Sequence, residues 1–188
     1  DIGGEVRSPI DPGQVRQAAQ QMMREHGVTA FAVSGYAGSV NPEHELAVKA
    51  LIEAQTGCFV TCGHELSRLL NFKTRAQTAV LNARIVPRLV DLLANLKAAL
   101  RKRGIRAPIM VVKGDGSLMS CDLAMQRPVE TILSGPAASV AGARFLTEIE
   151  DALVVDMGGT TTDTAAVAGG QVSVSEKGAT VGGIHTHV

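Results

Sequence analysis

Leu153-Val154-Val155-Asp156-Met157-Gly158-Gly159-Thr160-Thr161-Thr162-Asp163-Thr164-Ala165-Ala166-Val167 runs from apolar residues into an acid, a glycine pair, three threonines and a second acid, then turns apolar again. Ala168-Gly169-Gly170-Gln171-Val172 follows, with a second glycine pair and the start of a third apolar run. The pattern predicts a β-meander. Gly169-Gly170 suits an ordinary two-residue hairpin turn, whereas the first turn is built to hold phosphate. Gly158 and Gly159 lack a Cβ, so the backbone can approach a ligand closely and aim successive N–H groups at one anion. Thr160, Thr161 and Thr162 add hydroxyl donors at the same place. Two carboxylates beside a phosphate would repel it unless a cation intervened. Asp156 and Asp163 are therefore expected to hold Mg2+, directly or through water, bridging to the phosphate.

Composition narrows the classes of function. A chain of 188 residues with 45% hydrophobic content can bury a core as one domain or two small ones. Its 18 basic and 18 acidic residues cancel, so no charge balance points to nucleic acid or an anionic membrane as a partner. Aromatic residues make up 3% and Trp is absent, which argues against base-stacking platforms. No apolar run approaches the roughly 18 residues that span a bilayer, and three cysteines in no regular framework fit a reducing compartment. The expectation is a cytoplasmic protein. Asp1 stands first rather than Met, and Ile184-His185-Thr186-His187-Val188 ends without a helix or stop signal, so the chain is expected to be an internal piece of something longer.

Upstream of the meander, helical and extended patterns alternate. Residues 14–26 carry Val15, Ala18, Ala19, Met22 and Met23 at helical spacing, after Asp11-Pro12 and before Gly27. Residues 28–36 form a nearly continuous apolar run suited to a buried parallel strand. Asn41-Pro42-Glu43-His44-Glu45 opens a helix reaching Thr56, with Asn41 as N-cap and acids in a solvated first turn. Cys58-Phe59-Val60-Thr61-Cys62 is a short strand leading to Gly63-His64-Glu65. Alternation puts Cys58, Cys62 and His64 on one side, which raises a metal site, although one Cys-x-x-x-Cys falls short of a closed zinc set and strand cysteines serve as core residues.

Residues 73–103 form a long amphipathic segment in which Pro87 implies a kink or two helices. Arg75 and Asn82 there read equally as a surface cation and a helix polar contact or as site residues. A buried strand is expected over 107–113, then a turn, Gly114-Asp115-Gly116-Ser117, whose acid lies where an open α/β sheet binds ligand. Ser120 caps a short helix, residues 129–133 return as a strand, and Ser134-Gly135-Pro136 opens a helix with small residues on one flank. That helix can serve close packing or turn its N-terminal amides to an anion. Residues 1–150 are expected to be the α/β region and 151–188 the start of the phosphate-binding meander.

Several of these stretches carry a family resemblance. The meander resembles the phosphate-binding hairpin of the acetate and sugar kinase, Hsp70 and actin superfamily, and Asp-Met-Gly-Gly-Thr-Thr-Thr-Asp resembles a motif of the hydantoinase/5-oxoprolinase family. Asn41-Pro42-Glu43-His44-Glu45, Gly63-His64-Glu65, Val80-Leu81-Asn82-Ala83, Asp115-Gly116-Ser117-Leu118-Met119-Ser120 and Leu133-Ser134-Gly135-Pro136-Ala137-Ala138 are similar to further motifs of that family, in family order. Departures occur: Gly63 stands where the family has Ser, Ala76 and Gln77 replace a Thr-Ser pair, and Ser139 stands where the motif has Gly.

The resemblance implies an α/β fold, a mixed sheet with flanking helices of the ribonuclease H-like or actin-like ATPase type. It implies an ATP-dependent enzyme that opens a cyclic amide such as hydantoin or 5-oxoproline, with a second subunit or domain. The resemblance implies that the ring's carbonyl oxygen is activated by transfer of the γ-phosphoryl group, so that water can displace phosphate and the ring can open. Gly158, Gly159, Thr160, Thr161 and Thr162 would hold phosphate oxygens, Asp156 would orient Mg2+, Asp163 would support it, and Asp115 and His64 would lie near the substrate. Full-length members clamp nucleotide between two such loops, so this piece alone is expected to fold, bind nucleotide weakly and not turn over. An acetone carboxylase-like subunit and a non-catalytic nucleotide switch are the competing readings.

Overall fold

The computed structural model describes residues 3–172 and 178–187. They fall into two compact units, one comprising the chain up to Leu96 together with Gly178–His187, the other beginning at Lys97. The sequence 174–183, which carries Gly178, Gly182 and Gly183, lies outside the described residues at 174–177.

The first unit is built on a right-sized βαβ crossover. Helix α1, Pro12–His26, starts where Asp11 Oδ1 accepts the N–H groups of Gly13 and Gln14, and ends at Gly27 with φ 60°. Strand β1, Ala30–Val33, runs parallel to β2, Phe59–Cys62, with Phe31 opposite Val60. Helix α2, Glu43–Thr56, makes the connection. Ala19, Phe31, Ile52 and Val60 form the core between these elements.

A four-residue helix α3, Gly63–Leu66, follows β2 directly. Helix α4, Phe72–Lys102, is one helix with Pro87 inside it, rather than two. Asn82 Nδ2 donates to Thr61 Oγ1 at 2.9 Å, tying α4 to β2. The hairpin of β8, Ala179–Val181, and β9, Ile184–Thr186, belongs to this unit, where the His187 N–H donates to Thr78 Oγ1 and Ser67 Oγ pairs with His187 Nδ1 at 2.8 Å.

In the second unit β3, Met110–Val112, pairs antiparallel with β4, Leu118–Ser120, and α5, Cys121–Gln126, is capped by Ser120 as expected. The strand expected over 107–113 shrinks to β3 because Pro108 has no N–H for a ladder. The strand expected over 129–133 is instead a 3-10 turn, Pro128–Thr131, begun by a proline whose φ is fixed. Helix α6, Ser134–Thr147, follows a left-handed Leu133, φ 64°, so neither Ser134 nor Gly135 is its cap. It packs on the meander of β5, Ala152–Met157, β6, Thr162–Ala168, and β7, Gln171–Val172. The turn between β6 and β7 has Gly169 and Gly170 at φ 55° and 72°, the left-handed pair that a tight hairpin needs.

The architecture is thus mixed α/β. Among the described residues the strands form four small sheets, where the resemblance implies a mixed sheet with flanking helices, and only β1–β2 is parallel.

Candidate functional site

In the meander the antiparallel register sets Asp156 directly opposite Asp163 and Met157 opposite Thr162. The Gly158 N–H closes the turn onto Thr161 O at 2.9 Å. Gly158, Gly159, Thr160, Thr161 and Thr162 are all exposed, and a Cβ on Gly159 would meet nothing within 4 Å, so the turn's backbone is open to a ligand. Both acids are half-buried on the face that α6 covers, while Leu153, Val155 and Met157 point the other way. Like charges directly opposite on paired strands repel. Ser139 Oγ relieves one of them, donating to Asp156 Oδ2 at 2.5 Å. An oxygen-only donor set of two carboxylates beside three hydroxyls has the chemistry that suits Mg2+.

Asp115 occupies the β3–β4 turn. Its Oδ1 accepts the Ser117 hydroxyl at 2.6 Å and the Ser117 N–H at 2.9 Å, and Lys113 Nζ lies 3.2 Å from Oδ2. The Ser117 hydroxyl, the Ser117 N–H and then Lys113 hold its carboxyl down at about 2. Lys113 also reaches Glu130 at 3.3 Å, and Arg127 pairs with Glu130 at 3.1 Å. The Gly114 N–H bonds Glu130 O, and a Cβ on Gly114 would collide with the Ile132 carbonyl. Asp115 is therefore brought together with Lys113, Ser117 and, through Lys113, Glu130. No hydrogen bond among the described residues joins it to Asp156 or Asp163.

His64, in the first unit, sits on α3 with Nδ1 2.6 Å from Glu45 Oε2. Glu45 is not the solvated first-turn acid that the sequence suggests but is 2% exposed. It falls three and seven residues before Val48 and Ile52 on the inner face of α2, and that spacing was the available signal. Pro42 rather than Asn41 is the N-cap of this helix, and Asn41 Oδ1 accepts the Glu43 N–H. Cys58 does not join the group expected with Cys62 and His64; Glu45, Cys62 and His64 instead have ligand atoms within 4.8 Å of one another. Burial, and then Glu65, push the Cys62 thiol up to about 12.

Arg75 is 0% exposed, which removes the surface-cation reading. Its guanidinium donates to the carbonyls of Leu69, Gly35 and Tyr36 at 2.7–2.9 Å, shaping the loop after β1. That loop, with Asn41, His44 and Glu45, lines a cleft of about 340 Å³ at the carboxyl end of β1.

Two family models match the chain: hydantoinase/oxoprolinase over residues 75–188 and the hydantoinase/oxoprolinase N-terminal region over residues 1–56. Caprolactamase subunit alpha of Pseudomonas jessenii is 30% identical over 92% of the chain, and an uncharacterized protein of Methanocaldococcus jannaschii is 25% identical over 98%. The chain spans 25% and 28% of the lengths of these relatives. The crystal structure of ATP-dependent caprolactamase from Pseudomonas jessenii superposes with a TM-score of 0.74 at 32% identity, covering 87% of this chain and 24% of that one. Nucleotide-free acetone carboxylase gives a TM-score of 0.78 at 23% identity, covering 92% of this chain and 25% of that one, a likeness of fold.

Proposed function

Because the chain belongs to the hydantoinase/oxoprolinase family, we propose that the full-length protein is an ATP-dependent enzyme that opens a cyclic amide. The observation that carries this reading is the Asp156–Asp163 pair flanking an open Gly-Gly-Thr-Thr turn. Such a pair is unfavourable by itself and becomes useful when a cation and a phosphate arrive together. ATP with Mg2+ supplies the phosphoryl group that activates the ring's carbonyl oxygen for hydrolysis.

The chain's own residues position and neutralise. Gly159 gives a backbone N–H group, Thr160, Thr161 and Thr162 give hydroxyls to phosphate oxygens, and Asp156 and Asp163 hold Mg2+, while Gly158, whose own N–H closes the turn onto Thr161 O, lets the backbone come close to the ligand. Ser139 fixes the rotamer of Asp156. His64 and Asp115 act toward the substrate, Asp115 as an anion that its turn keeps charged at neutral pH. Residues 1–150 serve as the α/β region and 151–188 as the start of the phosphate-binding meander of an actin-like ATPase lobe. A second subunit completes the assembly, on the precedent of a relative named as an alpha subunit. Three free cysteines support a cytoplasmic, reducing location.

A second reading keeps the phosphate chemistry and changes the substrate to a ketone, on the strength of the fold shared with acetone carboxylase. The test is Mg-ATP hydrolysis by the full-length protein with the subunit encoded beside it, in the presence of hydantoin, 5-oxoproline, caprolactam or acetone. Stimulation by one ring that disappears in Asp156→Ala is expected. Stimulation by acetone alone would select the ketone reading, and ATP binding without stimulation by any of the four would contradict both.

A further inference from the structure

Asp156 and Asp163 face each other across the β5–β6 ladder, yet their side chains are held differently. Asp156 Oδ2 accepts the hydroxyl of Ser139 at 2.5 Å, a length typical of a hydroxyl donating to a charged oxygen. Asp163 has no side-chain hydrogen bond or ion pair among the described residues, and neither has Oδ1 of Asp156.

Ser139 reaches Asp156 because of its place on α6. Pro136, Ser139, Val140 and Ala143 recur at spacings of three, four and seven and are the covered positions, while Ala138, Ala141 and Gly142 are exposed. That covered face packs on β5 and β6, with Val140 buried between them and the helix. Few side-chain conformations are open to a residue in a packed helix, so the hydroxyl is fixed together with α6. One oxygen of Asp156 is thereby tied to the helix, and the other is left for a ligand.

A carboxylate held in this way treats two common cations differently. Mg2+ demands near-octahedral geometry at about 2.0–2.1 Å, keeps several waters and is bound through one or two carboxylates. Ca2+ gathers roughly six to eight oxygens at longer range, and does so with carboxylates that can turn to offer both of theirs. Asp156 offers Oδ1 from one orientation. To bring Oδ2 onto the same cation it would have to turn away from Ser139.

We propose that Ser139 is a positioning residue of the phosphate turn: by holding Asp156 as a one-oxygen ligand, it makes the site select Mg2+ over Ca2+. This rests on the reading above that the acid pair holds a cation beside the nucleotide's phosphates. The hydroxyl stays on Asp156 and acts through it. Asp163, which no donor restrains, adjusts to whichever cation is bound.

The test is calorimetric titration of the full-length protein with ADP in excess Mg2+ or excess Ca2+, which needs no turnover. Ser139→Ala puts a stronger helix former at the same position. It is expected to lower Mg-ADP affinity about tenfold, the loss of one hydrogen bond to a charged group, and to change Ca-ADP affinity by less than about twofold. Ser139→Thr keeps the hydroxyl and is expected to keep the wild-type ratio of the two affinities. A bond that served only the fold would weaken both complexes alike. Equal losses for the two cations, an unchanged Mg-ADP affinity in folded Ser139→Ala, a Ser139→Thr ratio matching that of Ser139→Ala, or a wild type without preference for Mg2+ would each overturn the proposal. A wild type that binds ADP with neither cation would refute the phosphate-site reading and this inference together, whereas wild-type binding of Mg-ADP with any of the preceding results would refute this inference alone.

Discussion

Asp115 is a turn-former whose charge is secured by its neighbours. With a folded pKa of about 2 against an ordinary 3.8, it gives up its proton more readily in the folded chain. As pH falls the unfolded chain therefore binds protons first. The stabilisation is complete above about pH 4 and is lost toward pH 2. Its side chain is 45% exposed, so solvent screens the gain. Asp115→Asn is expected to lower stability by about 0.5–1 kcal/mol at pH 7, with the difference closing between pH 4 and 2 in denaturant titrations. A constant difference across that range would contradict it.

The pairing of single residues was legible where spacing set a hairpin register, as in the Asp156–Asp163 string, whose two acids stand opposite each other. It was hidden where a polar residue occupied an apolar stripe. Glu45 shares the inner face of α2 with Val48 and Ile52, and Arg75 shares that of α4 with Ala79, Asn82 and Val86. Read by residue type alone these are surface charges; their burial follows from backbone partners in the loop after β1, which no local pattern displays. Ser139 was similarly silent, because its partner is the Asp156 carboxylate on another element.

Among the elements, several end signals were read closely: Asp11 and Gly27 bound α1, Ser120 starts α5, and the glycine pair turns β6 into β7, whereas Asn41 and Ser134 do not cap α2 and α6. Short apolar runs without such signals were misassigned. The ladder expected over 28–36 stops at Val33, because Glu45 and Arg75 take the backbone groups of Gly35 and Arg75 also takes the carbonyl of Tyr36. The hairpin β8–β9 lay inside a glycine-rich stretch whose turn, at Gly182 and Gly183, has φ 58° and 80°.

That hairpin is held partly by His187. Burial, followed by the charges of His185 and Arg75, lowers the pKa of His187 below 6.5. The unfolded chain therefore takes up this proton first, and stability falls as pH drops through 6.5. Hydrogen exchange of β8 and β9 is expected to speed up between pH 7 and 5.5 beyond the intrinsic trend, and His187→Gln to flatten that dependence. Equal protection across the range in the wild type would contradict this.

Several large apolar side chains among the described residues stand in solvent, Leu70 of the first unit at 77% exposure among them. Phe145, Leu146, Leu153 and Met157 are 71–84% exposed, all in the second unit. This accords with a chain that spans 25% of its curated relative. No helix among the described residues is long and apolar enough to cross a membrane.

The central claim is that the meander's acid pair exists for a cation and a phosphate, not for the stability of the fold. Asp163 is the informative member, since Asp156 also accepts from Ser139. The deciding measurement is the thermal unfolding of the full-length protein, wild type and Asp163→Asn, with and without Mg-ATP. Removing one of two opposed charges should raise the ligand-free stability by about 0.5 kcal/mol while abolishing most of the Mg-ATP-induced rise in Tm. A variant that melts lower than wild type without ligand and shows the same rise with Mg-ATP would contradict the account.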